Sequence, residues 1–325
     1  MLAIFRNYNP YVVLLLLILT IVVKLGYWIT PDAVTIEGNM LIYNALWGKV
    51  QGFLQFSNFT WGIIAILSLF IQALFVNNIA NRFDLFTNMT YLPAFTYIIL
   101  GSIIPSWNSM GPYMVLSWFV IGILDNALKL YHTSLGRFTL VNLGILIGAS
   151  TLLLPELAIL IIFGFIAISI FRSFNVGDWL AYILGLITPF YILFAYLFFQ
   201  NQLSLFSVIF NVDLALITKI ASPTKLVLAI SMIVLSLVIG SIYLMQFMSR
   251  MVMEHQKYWT IVIVLFITIV IGGVLTLRND WSNWLILLPT LSLIVNNAWL
   301  EYKRKWIATT LCYLLILCSL YFQWT

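Results

Sequence analysis

The chain returns repeatedly to apolar runs of roughly 20 residues, the length a helix needs to cross the hydrocarbon of a bilayer. The first, residues 11–28, reads "YVVLLLLILTIVVKLGYW". A helix apolar on every side belongs in a membrane or in the core of a large protein. A chain of 325 residues has no room to bury so many. In lipid every backbone amide needs an internal partner, which helices and closed barrels supply. A barrel would alternate apolar and polar residues over short segments, and these runs do not alternate. With 63% hydrophobic and 8% charged residues, against about 25% charged in soluble domains, the expected fold is all-α: a polytopic transmembrane helical bundle.

About eleven spans are predicted at bilayer length. They centre on residues 11–28, 59–78, 89–104, 113–130, 138–154, 157–171, 179–199, 225–248, 258–277, 284–297 and 306–322. Arg6 ahead of the first run gives it the look of a signal peptide. Trp28, Ile29 and Thr30 offer no small-residue cleavage site, so the run is read as a retained span. Lys and Arg in the turns set the orientation. With the N-terminus cytoplasmic, Arg6, Arg82, Lys129, Arg137, Arg172, Arg250, Lys257, Lys303, Arg304 and Lys305 fall inside. Lys24, Lys49, Lys219, Lys225 and Arg278 fall outside. An odd number of spans leaves the C-terminus periplasmic. The net charge of +5 thus follows topology and does not point to nucleic acid. Pro189 and Pro289 lie within spans, where proline kinks a helix.

Most turns are short, but two outer ones, residues 29–58 and 200–222, are long enough for a helix. In the first, Val34, Leu41, Leu46, Val50 and Leu54 lie near one side. In the second, Leu205, Val208, Ile209, Val212 and Ile217 alternate with Asn211, Asp213 and Lys219. Amphipathic helices on the membrane surface account for both.

Several polar residues carry alternative readings. Lys24 is the basic residue set deepest in a span. It either snorkels to the nearby interface, pairs with Asp32 or binds a lipid phosphate, since an embedded charge is costly. Arg278 and Asp280 in "LRNDW" form a turn with a helix N-cap, or Arg278 holds a carrier phosphate. Asp32, after Thr30-Pro31, is a helix cap or a solvated loop acid. Glu156 opens a span where the helix dipole favours it, or serves as a site acid. Gln72, Asn77, Asn78, Asn81, Asn296 and Asn297 are expected to bond between helices. His132 and His255 read as solvated or interfacial, and "EYKRKW", residues 301–306, as an anchor for anionic lipid. Cys312 and Cys318 face different sides of one helix and read as small apolar fillers. No metal-ligand spacing, phosphate-cradling loop or nucleophile arrangement stands out, and no cofactor is expected.

Long outer loops after the first and seventh spans resemble the GT-C architecture of membrane glycosyltransferases, which take sugars from polyprenyl-phosphate carriers. The stretch "GRFTLVNLGILIGASTLLLPELAILIIFGFIAISIFRSF", residues 136–174, is similar in style to the middle of that core. Together with "NNIANRFDLFTNMTYLPAFTYIILGSIIP", residues 77–105, it also resembles a polytopic inner-membrane protein family of Bacteroidota. The resemblance implies one integral membrane domain over 1–325. Within it, 1–199 would be a seven-span GT-C-like core with outer loop 29–58, and 200–325 the loop 200–222 plus four further spans. It implies a catalytic base in the first outer loop, hence Asp32 or Glu37, and carrier phosphate near Lys24 or Arg278. A metal-dependent member would carry acids between the third and fourth spans, and "PSWNSMGP" has none.

Three functions follow as expectations. The first is a non-catalytic or degenerate GT-C-like subunit of a cell-envelope assembly, with a membrane-protein partner. The second is a metal-independent glycosyltransferase on the periplasmic side. The third is a lipid flippase or transporter. All place the chain in the bacterial inner membrane, in contact with its lipids.

Overall fold

The computed structural model describes residues 2–6, 9–24, 48–50, 53, 56–108, 110–131, 136–201, 203, 206, 224–275, 281–300 and 305–324. Among these the regular structure is helical throughout. In chain order the helices are α1 (Leu2–Arg6), α2 (Tyr11–Val23), α3 (Asn58–Arg82), α4 (Leu92–Leu100), α5 (Pro112–Lys129) and α6 (Gly136–Leu153). They continue as α7 (Leu160–Phe171), α8 (Val176–Phe199), α9 (Thr224–Met248), α10 (Met253–Leu275), α11 (Leu288–Leu300) and α12 (Lys305–Trp324). Tight 3₁₀ turns precede α5 (Pro105–Asn108), α7 (Pro155–Ile159) and α11 (Ser282–Leu287). Six of these stretches are long and apolar enough to cross a membrane, the make-up of a multi-pass helical membrane protein. Each apolar run read from the sequence coincides with a helix.

Local chemistry sets several helix starts. Ser57 accepts the Thr60 amide at 3.3 Å and caps α3. Asn175 accepts the Gly177 amide at 3.0 Å and caps α8. Pro112 opens α5, where its missing N–H costs nothing. Pro289 lies inside the candidate span Ser282–Leu300, as read from the sequence, but at the second position of α11 where it follows a 3₁₀ turn. Pro189 does lie within its helix.

At the centre stand two short helices. Every residue of α4 is buried, and so is every residue of α11 from Leu288 to Trp299. They pack against each other, with α3, α5, α9 and α10 around them. At 9 residues, α4 spans only about 13 Å, well short of a bilayer. The chain leaves it at Gly101, where an added Cβ would meet Leu69 and Leu288 side chains at 2.8 and 2.9 Å. On the rim, the apolar windows of α8 and α9 are only 22% and 17% buried, which turns their remaining surface toward lipid.

The two ends of the bundle differ. At one end, Arg6 donates to the Trp299 carbonyl at 2.6 Å, and Phe5 stacks on Phe95 at 4.5 Å. Asp125 sits between Arg82, at 3.6 Å, and Lys129. Tyr258 gathers Phe83, Tyr131 and Phe171 around it, and Trp259 donates to the Leu85 carbonyl at 3.0 Å. Arg6, Arg82, Lys129, Arg137 and Arg172, from successive alternate turns, therefore share one end.

Candidate functional site

The opposite end holds the unusual groups. Lys24 closes α2 through its backbone amide on the Thr20 carbonyl at 3.2 Å. Its side chain is 0% exposed. Its Nζ has no hydrogen-bond partner among the described residues. The snorkelling reading is thus overturned, because the side chain is enclosed rather than extended to a surface; the preceding helix α2 packs against α3, α4 and α12. An uncompensated buried charge costs several kcal/mol, so an anion beside it would relieve a real penalty. The other residues singled out from the sequence, Asp32, Glu37 and Arg278, lie outside the described residues.

Pieces of both long segments reach this end, and each contacts the end of α8. Lys49, from 29–58, donates to the Tyr196 hydroxyl at 3.2 Å and lies 5.6 Å from the centre of its ring. Phe206, from 200–222, packs edge-on against Phe194 at 5.5 Å. Tyr196 and Phe194 occupy the closing turns of α8. No sequence pattern marked them.

A narrow cleft, with room for about one water molecule, opens at the same end between Leu154–Leu157, Ile269–Gly273 and Asn283–Leu287. Trp284 Nε1 is buried there without a described partner. Glu156, at 9% exposure, sits in the 3₁₀ turn on the rim of the cleft. It is the one acid at this end among the described residues.

Between the ends runs a buried polar seam. Gln72 on α3 donates to Ser117 Oγ at 2.7 Å and to the Met114 carbonyl at 3.0 Å, and accepts from the Tyr97 hydroxyl at 2.8 Å. Beside it, the Trp299 indole donates to Thr96 Oγ1 at 3.0 Å, and Asn296 Oδ1 lies 3.5 Å from the same oxygen. Asn81 exchanges bonds with the Thr90 backbone. The sequence expectation that Gln72, Asn81 and Asn296 reach beyond their own helices therefore holds. Asn77 Oδ1, Asn296 Nδ2 and Asn297 Oδ1 are buried without partners among the described residues, positions suited to internal water.

Compared with protein-family models, curated proteins and solved structures, the chain matches none.

Function has to be argued from the chemistry. The seam is neutral and largely satisfied, so its work is to lock α3, α4, α5 and α11 in register. The cleft offers an indole N–H, the Asn283 amide and an otherwise apolar lining. Lys24 offers a buried amine without a partner among the described residues, which gives it the strongest demand for a ligand.

Proposed function

We propose that this chain is a multi-pass protein of the bacterial cytoplasmic membrane that serves as a non-catalytic, GT-C-like subunit of a cell-envelope assembly. In this reading it holds the phosphate of a polyprenyl-phosphate carrier at Lys24. The observation that carries the reading is that Lys49 and Phe206, one from each long segment, both contact the last turns of α8, at Tyr196 and Phe194. A carrier pocket of this architecture is built from those two segments, and Lys24 is buried at that same end. A phosphate would supply an anion, which Lys24 lacks among the described residues, through a charge-assisted hydrogen bond. The basic residues gathered at the other end favour placing that end in the cytoplasm, and hence Lys24 toward the periplasm.

The alternative is a metal-independent glycosyltransferase. Glu156 favours it, as a nearly buried carboxylate in the turn beside a cleft, the kind of group that serves as a general base. Asp32 and Glu37 are the other candidate acids.

One experiment separates the readings: purify the full-length protein from membranes in mild detergent and identify what stays bound. The subunit reading expects a stable protein partner and retained polyprenyl phosphate. It also expects retention to fall about tenfold in Lys24→Met, the effect of losing roughly 1.4 kcal/mol of binding. A monomer whose sugar transfer disappears in Glu156→Gln, Asp32→Asn or Glu37→Gln would make the protein an enzyme. A monomer without bound carrier or transfer activity would sink both.

A further inference from the structure

At the charged end, α6 and α8 begin side by side. Asp178, in the first turn of α8 and 8% exposed, accepts from Arg172 at 3.0 Å and lies 3.6 Å from Arg137 Nε. Arg172 also donates to the Gly136 carbonyl at 3.2 Å. Its side chain is 11% exposed, held on both sides as an internal brace. Arg137 is placed differently. Its side chain is 66% exposed, and its terminal nitrogens lie over Gly177 at the start of α8, where a Cβ would come within 2.6 Å of one of them. Gly136, at φ +58°, adopts the left-handed conformation that glycine tolerates without strain as α6 begins.

Two guanidinium groups share one carboxylate, so the corner carries an unmatched positive charge. The opening turns of α6 and α8 add partial positive charge from N–H groups with no preceding helical acceptor. Around this cation stand exposed apolar side chains: Phe138 at 75%, Phe174 at 80% and Val176 at 60%. Trp179 stacks on Phe165 at 5.3 Å, and its indole N–H has no partner among the described residues. Aromatic rings and an indole beside a basic group are the make-up of a membrane interface.

We propose that the Arg137–Asp178–Arg172 corner binds the phosphate of an anionic glycerophospholipid whose acyl chains lie along Phe138, Phe174 and Val176. A soluble phosphate would gain nothing from the exposed rings. A zwitterionic lipid brings its own cation to a site that already has one in excess. An anionic headgroup neutralises the corner and lets the rings meet hydrocarbon rather than water. This site lies at the opposite end from Lys24 and does not depend on the carrier reading.

The test uses the full-length protein in mild detergent, with phosphatidylglycerol or phosphatidylcholine added and bound lipid counted by native mass spectrometry. Phosphatidylglycerol is expected to bind wild type about fivefold more tightly than Arg137→Gln, the worth of one basic side chain near an anionic surface. Arg250→Gln, which removes another exposed cation at the same end, is expected to bind like wild type. Phosphatidylcholine should not distinguish the variants. Because Arg137 is largely exposed, the variant should melt like wild type. Phe174→Ala provides a second arm that keeps the charges and is expected to weaken lipid binding alone. Equal phosphatidylglycerol binding by wild type and Arg137→Gln would overturn the proposal. So would displacement of the lipid by millimolar inorganic phosphate.

Discussion

Lys24 and Gln72 are both polar and both fully buried, yet they stand in opposite positions. Gln72 spends its amide on three partners: Ser117, the Met114 carbonyl and Tyr97. Lys24 has none among the described residues. Satisfied groups stabilise modestly, whereas stranded ones cost the full desolvation penalty. Gln72→Leu keeps the volume but removes the acceptor of the Tyr97 hydroxyl, while Ser117 keeps its bond to the Met114 carbonyl. It is expected to destabilise the protein by about 2 kcal/mol, since each unsatisfied buried group costs roughly 1–3 kcal/mol. Unfolding by SDS in mixed micelles measures it. Tyr97→Phe in the same background should recover part of the loss, with a coupling of at least about 0.5 kcal/mol. Purely additive losses would mean that the seam is not a connected network.

Helices in lipid gain little from hydrophobicity alone, so their contacts depend on close backbone approach at small residues. The crossing of α6 and α8 is built this way. Gly144 and Gly148 on α6 face the Tyr182 and Leu186 backbone of α8, and Gly185 on α8 faces the Val141 carbonyl of α6. Gly240 on α9 meets the Ile294 carbonyl of α11 in the same manner, with 2.6 Å left for a Cβ. Gly185→Val drives its side chain into backbone that cannot rotate away. It is expected to separate the pair at a cost of about 3 kcal/mol or more, the upper range for overpacking. A protease-sensitivity assay on the purified protein reads this as faster cleavage near residues 172–176. Gly48→Ala, with nothing within 4 Å of its Cβ, should leave cleavage unchanged. At this scale the sequence was informative where hydropathy contrasts with the turns, as for α3 and α10. It was least informative in the centre. Residues 89–104 read as one crossing, but the helix covers only Leu92–Leu100. A helix buried all round has no polar face, and its end depends on Leu69 and Leu288 crowding Gly101, which no local pattern records. For the same reason the burial of Lys24 was hidden. Its place near a span end was legible, but its tertiary enclosure was not.

As a whole, the molecule is a fully buried pair, α4 and α11, wrapped by longer helices, with ends of different chemistry. One end collects Arg6, Arg82, Lys129, Arg137 and Arg172, four of the five described acids and their ion pairs. The other has the 3₁₀ turns before α7 and α11, Glu156 and the buried Lys24. Exposed lysine and arginine resist translocation, so this asymmetry predicts that the arginine-rich end faces the cytoplasm. The placement is testable in intact cells. Cys312 and Cys318 are first replaced by alanine, and single cysteines then introduced at Lys49 and Ser249, both exposed and at opposite ends. A membrane-impermeant maleimide is expected to label Lys49→Cys in intact spheroplasts and Ser249→Cys only after permeabilisation. The reverse pattern would invert the bundle and place Lys24 toward the cytoplasm, where a periplasmic carrier could not use it. Labelling of both from one side would mean that the two ends do not face opposite sides of the membrane, and the role of the long segments would fall with it.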